Sequence, residues 1–87
     1  MMNIEYLGIN TYSGNNGNNI TAPTYKIQGK VYDNFMKKLF SQGSHKKRVM
    51  FALDYNIISF RLNIHGYAGI IYVTDDFDPD LFVLQVA

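Results

Sequence analysis

Residues 58–64 read ISFRLNI, and their apolar and polar side chains alternate strictly. Successive side chains of a β-strand point to opposite faces, so this alternation predicts a strand with one apolar and one polar face. A strand of this kind belongs to an antiparallel sheet that is covered on one side only. Any fold for this chain must therefore bury the apolar face of this sheet against another secondary-structure element.

One helix is predicted at residues 31–42, where apolar side chains recur at helical spacing. Their offsets of zero, three, four, seven and eight place them on a single stripe: Tyr32, Phe35, Met36, Leu39 and Phe40. Asp33 and Lys37 form a favourable i,i+4 pair on the opposite side, and Gly43 suits the residue that ends a helix. We expect the apolar stripe to pack on the sheet.

The remaining apolar segments read as strands. They lie at residues 3–12, 24–28, 48–53, 57–65, 70–74 and 81–87. The predicted class is therefore α+β: an antiparallel sheet of about five to six strands, in the order β-β-α-β-β-β-β, with one amphipathic helix packed on one face. The last strand carries neither charge nor proline, so at a sheet edge it would invite pairing with another chain.

The size and composition of the chain exclude several classes of protein. At 87 residues, positions 1–87 are expected to form a single domain. The absence of cysteine excludes disulfides, thiolate metal ligands and a cysteine nucleophile. With no signal-like N-terminus and no long apolar run, we expect a cytoplasmic protein without a membrane partner. A domain this small has a thin stability margin that dimerisation would widen, so a homodimer is one expected arrangement.

Positive charge is concentrated in the middle of the chain. Between residues 26 and 48 there are seven basic residues and one acid, Asp33. The candidate binding residues in this segment are Lys37, Lys38, Lys46, Lys47 and Arg48. A cluster of this kind can bind phosphates of a nucleic acid. Exposed lysines also keep a protein soluble and stabilise the end of a helix through its dipole, so both interpretations stay open.

Negative charge is concentrated in the segment DDFDPD at residues 75–80. An EF-hand loop cannot be built here, because Leu81 occupies the glycine position and Ala87 the bidentate glutamate position. The segment is expected to be a turn between two strands. Its acids also form a candidate patch for a basic partner surface: Asp75, Asp76, Asp78 and Asp80.

The polar residues Arg61, Asn63 and His65 are two apart along the best predicted strand, which would align them on one face. An arginine beside a histidine is a pairing that a metal-free ribonuclease can use. The alternative is that they are only the solvent-facing side of the sheet. Tyr67, in the turn that follows, is a further candidate because tyrosine gives large contact area at low entropic cost.

The function predicted from these patterns is a small non-enzymatic protein-binding module. Inhibitors and accessory proteins of phages and other mobile elements act in this way, by occluding a surface of a host defence complex. The alternatives are a nucleic-acid-binding domain that uses residues 37–48 and a small ribonuclease or toxin. No catalytic constellation, cofactor or metal site is predicted, since two histidines without cysteine do not make a zinc site.

Overall fold

A computed structural model describes residues 3–14, 17–64 and 66–87. Within these ranges the chain forms four strands and three helices, in the order β-β-α-α-β-β-α. Their bounds are β1 Ile4–Ser13, β2 Asn19–Gln28, α1 Gly29–Phe40, α2 His45–Asp54, β3 Ile57–Ile64, β4 Ala68–Val73 and α3 Pro79–Val86.

The four strands form one antiparallel sheet in the order β1-β2-β4-β3. Across strands β2, β4 and β3, Tyr25 lies opposite Ile71, and Ile71 lies opposite Phe60. These residues belong to the helix face, on which the apolar sides of all three helices collect in one cluster. The opposite, open face carries Lys26, Ile70 and Arg61 in register.

Aromatic rings tie the three helices to the sheet. Phe35 of α1 is fully buried, with its ring centroid 6.3 Å from that of Phe51, 6.2 Å from Phe60 and 5.7 Å from Phe82. These partners come from α2, β3 and α3. Separations of this size are those of favourable aromatic pairs. One side chain of α1 therefore contacts aromatic rings from three other elements of the core.

The predicted α+β class, the antiparallel sheet and helix α1 are confirmed, but the number of elements was wrong. Residues 48–53 form part of α2 rather than a strand. The side chain of Ser44 accepts a hydrogen bond from the Lys47 backbone N–H at 3.2 Å, which caps the helix. Ala52 is buried and Phe51 and Tyr55 are half-buried against the core, at positions that match helical spacing. In so short a run, the apolar residues around Val49 fit both the two-residue repeat of a strand and the ~3.6-residue repeat of a helix.

Residues 81–86 are also helical rather than a final strand. Asp78 caps α3, its Oδ1 accepting hydrogen bonds from the backbone N–H groups of Asp80 at 3.1 Å and Leu81 at 3.2 Å. Pro79 occupies the first turn, where it lacks only an N–H that the helix does not use. Phe82 and Val86, four residues apart, enter the core. The predicted unprotected edge strand at the C-terminus therefore does not exist.

The hairpin of β1 and β2 bends over the open face. Gly8, at φ 83°, lies in a β-bulge where the pairing shifts between Tyr6 and Ile9. Beyond this bulge the ring of Tyr12 stacks on that of Tyr72 in β4, with centroids 4.1 Å apart. A bulge bends and twists its strand, which accounts for the curl. Tyr72 is consequently buried although it lies on the face opposite the three helices of the described ranges.

Replacing Asp78 by Ala should destabilise the protein by about 1 kcal/mol, because two N–H groups at the start of α3 lose their acceptor. Urea unfolding followed by circular dichroism measures the change. Asp76→Ala, which removes another exposed acid that lies outside the helix, should have almost no effect. Equal effects of the two substitutions would contradict the assignment of a capped helix.

Candidate interaction site on β3

The hairpin and β3 enclose a groove on the open face, termed here the hairpin groove. Its volume is about 430 Å³, and its lining residues are Thr11, Tyr12, Ser13, Ser59, Phe60, Arg61 and Tyr72. A smaller cleft of about 220 Å³ shares Tyr12, Ser13 and Ser59 with it and extends to Asn18 near the hairpin tip. The curl of the hairpin thus provides a second wall beside the sheet edge.

A second groove lies on the helix side of β3, termed here the α2 groove. It has a volume of about 360 Å³ and is lined by His45, Val49, Ala52, Ile57, Ile58, Ser59 and Phe60. Most of these side chains are apolar. His45 is the first residue of α2, so the basic first turn of this helix borders one end of the groove.

All three concavities include Ser59, and its neighbours Ile58 and Phe60 each line two of them. Residues 58–61 therefore form a ridge with a hollow on either side. Within the described ranges β3 pairs with β4 alone, so this ridge is also an edge of the sheet. Among the described residues no carboxylate lines any of these hollows, and the cationic side chain in them is Arg61.

The predicted polar row does not form, because β3 is irregular after Arg61. The pairing with β4 shifts between Arg61 and Ile64, and Asn63 adopts a φ of 63°. Arg61 stays on the open face opposite Ile70, whereas the Asn63 side chain turns toward α1. His65 lies outside the described residues. The ribonuclease hypothesis depends on His65 and stays a prediction.

Tyr32 of α1 holds the irregular part of β3 around Asn63, a β-bulge, in place. Its hydroxyl accepts a hydrogen bond from the Asn63 backbone N–H at 3.0 Å and donates one to Asn63 Oδ1 at 3.2 Å. The ring of Tyr32 lies over Gly69, where a Cβ atom would come within 3.2 Å of it and within 3.1 Å of the Arg61 carbonyl. A side chain at position 69 would therefore require Tyr32 or the Arg61 carbonyl to shift by a few tenths of an ångström.

The structure brings the predicted basic residues to the junction of α1 and α2. Lys37 and Lys38 lie in the last turn of α1, and Lys46 and Lys47 are exposed in the first turn of α2. Arg48 differs from them, because its guanidinium lies 5.1 Å from the ring centroid of Phe40 in α1. Its Nε is buried and has no hydrogen-bond partner among the described residues. Arg48 is therefore half-buried and packs on Phe40.

The remaining candidates do not join the β3 site. Asp75 and Asp76 lie in the turn after β4, Asp78 caps α3 and Asp80 follows in its first turn. In the described part of the chain, no three His, Asp or Glu side chains are arranged to hold a metal ion. Tyr67 is 78% exposed in the turn between β3 and β4.

Sequence reasoning identified Arg61 but missed the residues that enclose it. Tyr12 and Tyr72 are 60 positions apart, and Val49 was expected on a strand. No local pattern indicates that these side chains converge on β3. The Asn-Gly loop after β1 indicated a hairpin, but the bend that carries it over the sheet depends on tertiary contacts.

Comparison of the chain with protein-family models, with curated proteins and with solved structures finds no match. None of the helices in the described ranges has the length and apolar character needed to cross a membrane.

Replacing Tyr32 by Phe should lower the free energy of unfolding by about 1–2 kcal/mol, because the partly buried Asn63 N–H loses its acceptor. Chemical denaturation measures this change, and faster hydrogen exchange of the Asn63 amide would locate it at the bulge. Tyr67→Phe removes an exposed hydroxyl and should leave both quantities unchanged.

Proposed function

We propose that this protein is a non-enzymatic protein-binding module that receives an extended segment of a partner protein along β3 at residues 58–61. The observation that carries the proposal is the convergence of three hollows on this short stretch of an edge strand. Binding of this kind requires no catalytic group in the site.

The edge position favours a polypeptide as the occupant. An unpaired strand edge offers backbone hydrogen bonds to an added strand, and successive side chains of that strand point to opposite faces. On β3 these side chains would enter the α2 groove and the hairpin groove in turn. Register shifts on either side restrict regular pairing to Ser59–Arg61. Most of the affinity is therefore assigned to the side chains that fill the grooves.

The lining of the grooves indicates the chemistry of the partner segment. The α2 groove, with Val49, Ala52 and Ile58, suits an apolar side chain. The hairpin groove has hydroxyl groups and Arg61, which suit an acidic or hydrogen-bonding side chain. Lys46 and Lys47 beside the α2 groove add further positive charge. The partner segment is therefore proposed to alternate apolar and acidic residues.

Occlusion of the partner follows from such binding. A small protein that covers an extended segment of a larger assembly blocks whatever that segment contacts. Within the proposal, this is the action of an inhibitor or accessory protein, of the type that phages and other mobile elements direct against a host complex. The identity of that complex is left to experiment.

A selection from a library of random linear peptides, displayed on phage and panned against the immobilised protein, tests the proposal. Enriched peptides should alternate apolar and acidic residues. Arg61→Glu and Val49→Asp should each weaken binding of such a peptide at least about tenfold, equivalent to ~1.4 kcal/mol. Leu84→Asp, at an exposed apolar residue on α3, serves as the matched control.

Backbone amide shifts recorded with and without the selected peptide locate the binding surface. Perturbations centred on residues 58–61 are expected. Enriched peptides that bind Arg61→Glu and Val49→Asp as tightly as the parent would refute the assignment of the site to β3, as would a selection without enrichment.

A second candidate, binding of nucleic acid, is favoured by one observation. The first turn of α2 carries Lys46 and Lys47 and no acid. Cations at this end of a helix are disfavoured by its dipole, and a bound phosphate would relieve the repulsion. Lys37 and Lys38 from the end of α1 add to the same basic junction.

Fluorescence anisotropy with generic RNA and duplex DNA, at low and physiological salt, tests this candidate. Binding should weaken steeply with salt, and the double variant Lys46→Ala/Lys47→Ala should reduce the logarithmic salt slope by about 2. Lys26→Ala/Lys30→Ala makes the same change in net charge elsewhere and should leave the slope almost unaltered. Absence of binding at low salt would eliminate nucleic acid as the partner.

A further inference from the structure

Strand β1 forms the other edge of the sheet and has few features that would prevent it from pairing with another chain. In the described ranges it pairs with β2 alone, and its ten residues contain no proline and one charge, Glu5. Three of its apolar side chains are exposed: Tyr6, Leu7 and Ile9. Natural sheets usually guard such an edge with charge, proline, bulges or a covering element.

The bulge at Gly8 protects only part of this edge. The Asn10 side-chain amide donates to the carbonyl of Leu7 at 3.1 Å and to that of Gly8 at 3.4 Å, so these acceptors are already engaged. Beyond the bulge, Ile9–Ser13 pairs with 19–23 without interruption. The segment Ile9–Ser13 is therefore a regular edge with no Asp, Glu, Lys, Arg or His and no proline.

Charge favours a second copy of this chain as the occupant of that edge. Glu5 lies opposite Lys26 in the sheet, so a residue of opposite charge in the same subunit is its cross-strand neighbour. If two copies of β1 pair antiparallel about a twofold axis at Thr11, Ile9 faces Ser13 and Asn10 faces Tyr12. No charged residue of the segment Ile9–Ser13 then faces itself or a like charge. The segment is therefore complementary to a second copy of itself, as a twofold interface requires.

We infer that β1 pairs with β1 of a second copy through Ile9–Ser13, giving one continuous eight-stranded sheet in a twofold dimer. The pairing uses the backbone edge of β1 and leaves the backbone edge of β3 unpaired, although three residues of the paired segment also line the hairpin groove: Thr11, Tyr12 and Ser13. The exposed Ile9, at 66% of its surface, becomes covered in this arrangement. Each subunit gains buried apolar area that a small domain otherwise lacks.

Sedimentation equilibrium from the micromolar to the millimolar range tests the inference, and the apparent mass should rise from 10.0 kDa to twice that value. Thr11→Lys and Thr11→Glu place like charges on the twofold axis, and each should raise the dissociation constant at least about tenfold. Because opposite charges then meet on the axis, an equimolar mixture of the two variants should restore the dimer.

Leu84→Lys introduces the same charge at an exposed apolar residue of α3 and should leave dimerisation unchanged. Far-ultraviolet circular dichroism checks that each variant is folded. Ile9→Lys, at a highly exposed residue, is a second substitution that tests pairing through the β1 edge. A parent protein that stays at 10.0 kDa throughout the range overturns the inference. Failure of the Lys and Glu variants to associate with each other does the same.

Discussion

The contacts of Phe35 are the interaction on which the rest of the structure depends. Its ring is fully buried and meets an aromatic ring from α2, from β3 and from α3. In a domain of this size the apolar core is small, so a ring that contacts three other elements helps to fix the position of each of them. It also holds α2 beside β3, and the α2 groove exists because of that placement.

Irregular pairing at two places in the sheet shapes the rest of the site. The bulge at Gly8 bends the hairpin over the open face until Tyr12 reaches Tyr72, which creates the wall of the hairpin groove. The bulge at Asn63, held by Tyr32, ends the regular part of β3. Bulges redirect side chains at sheet edges in this way. The two edges consequently differ: β3 is short and flanked by hollows, whereas β1 presents a longer uncharged segment.

The two helices that were predicted as strands show how local signals compete. Apolar residues in 48–53 and 81–87 fit an alternating pattern, and runs this short do not distinguish the two periods. The chain nevertheless contains the capping signals, with Ser44 before α2 and Asp78-Pro79 before α3. Side-chain caps satisfy N–H groups that a strand would have to pair elsewhere, and these caps agree with the helices that form.

The sequence by itself determined the α+β class, helix α1, the strands of the central sheet and the segregation of charge, because these depend on side-chain periodicity and composition. Only the tertiary structure decided which face Asn63 turns to, where Arg48 packs and which residues surround Arg61. These features arise from contacts such as Tyr12 with Tyr72, between positions far apart in the chain. Their geometry depends on bulges and packing, which no local pattern of residues encodes.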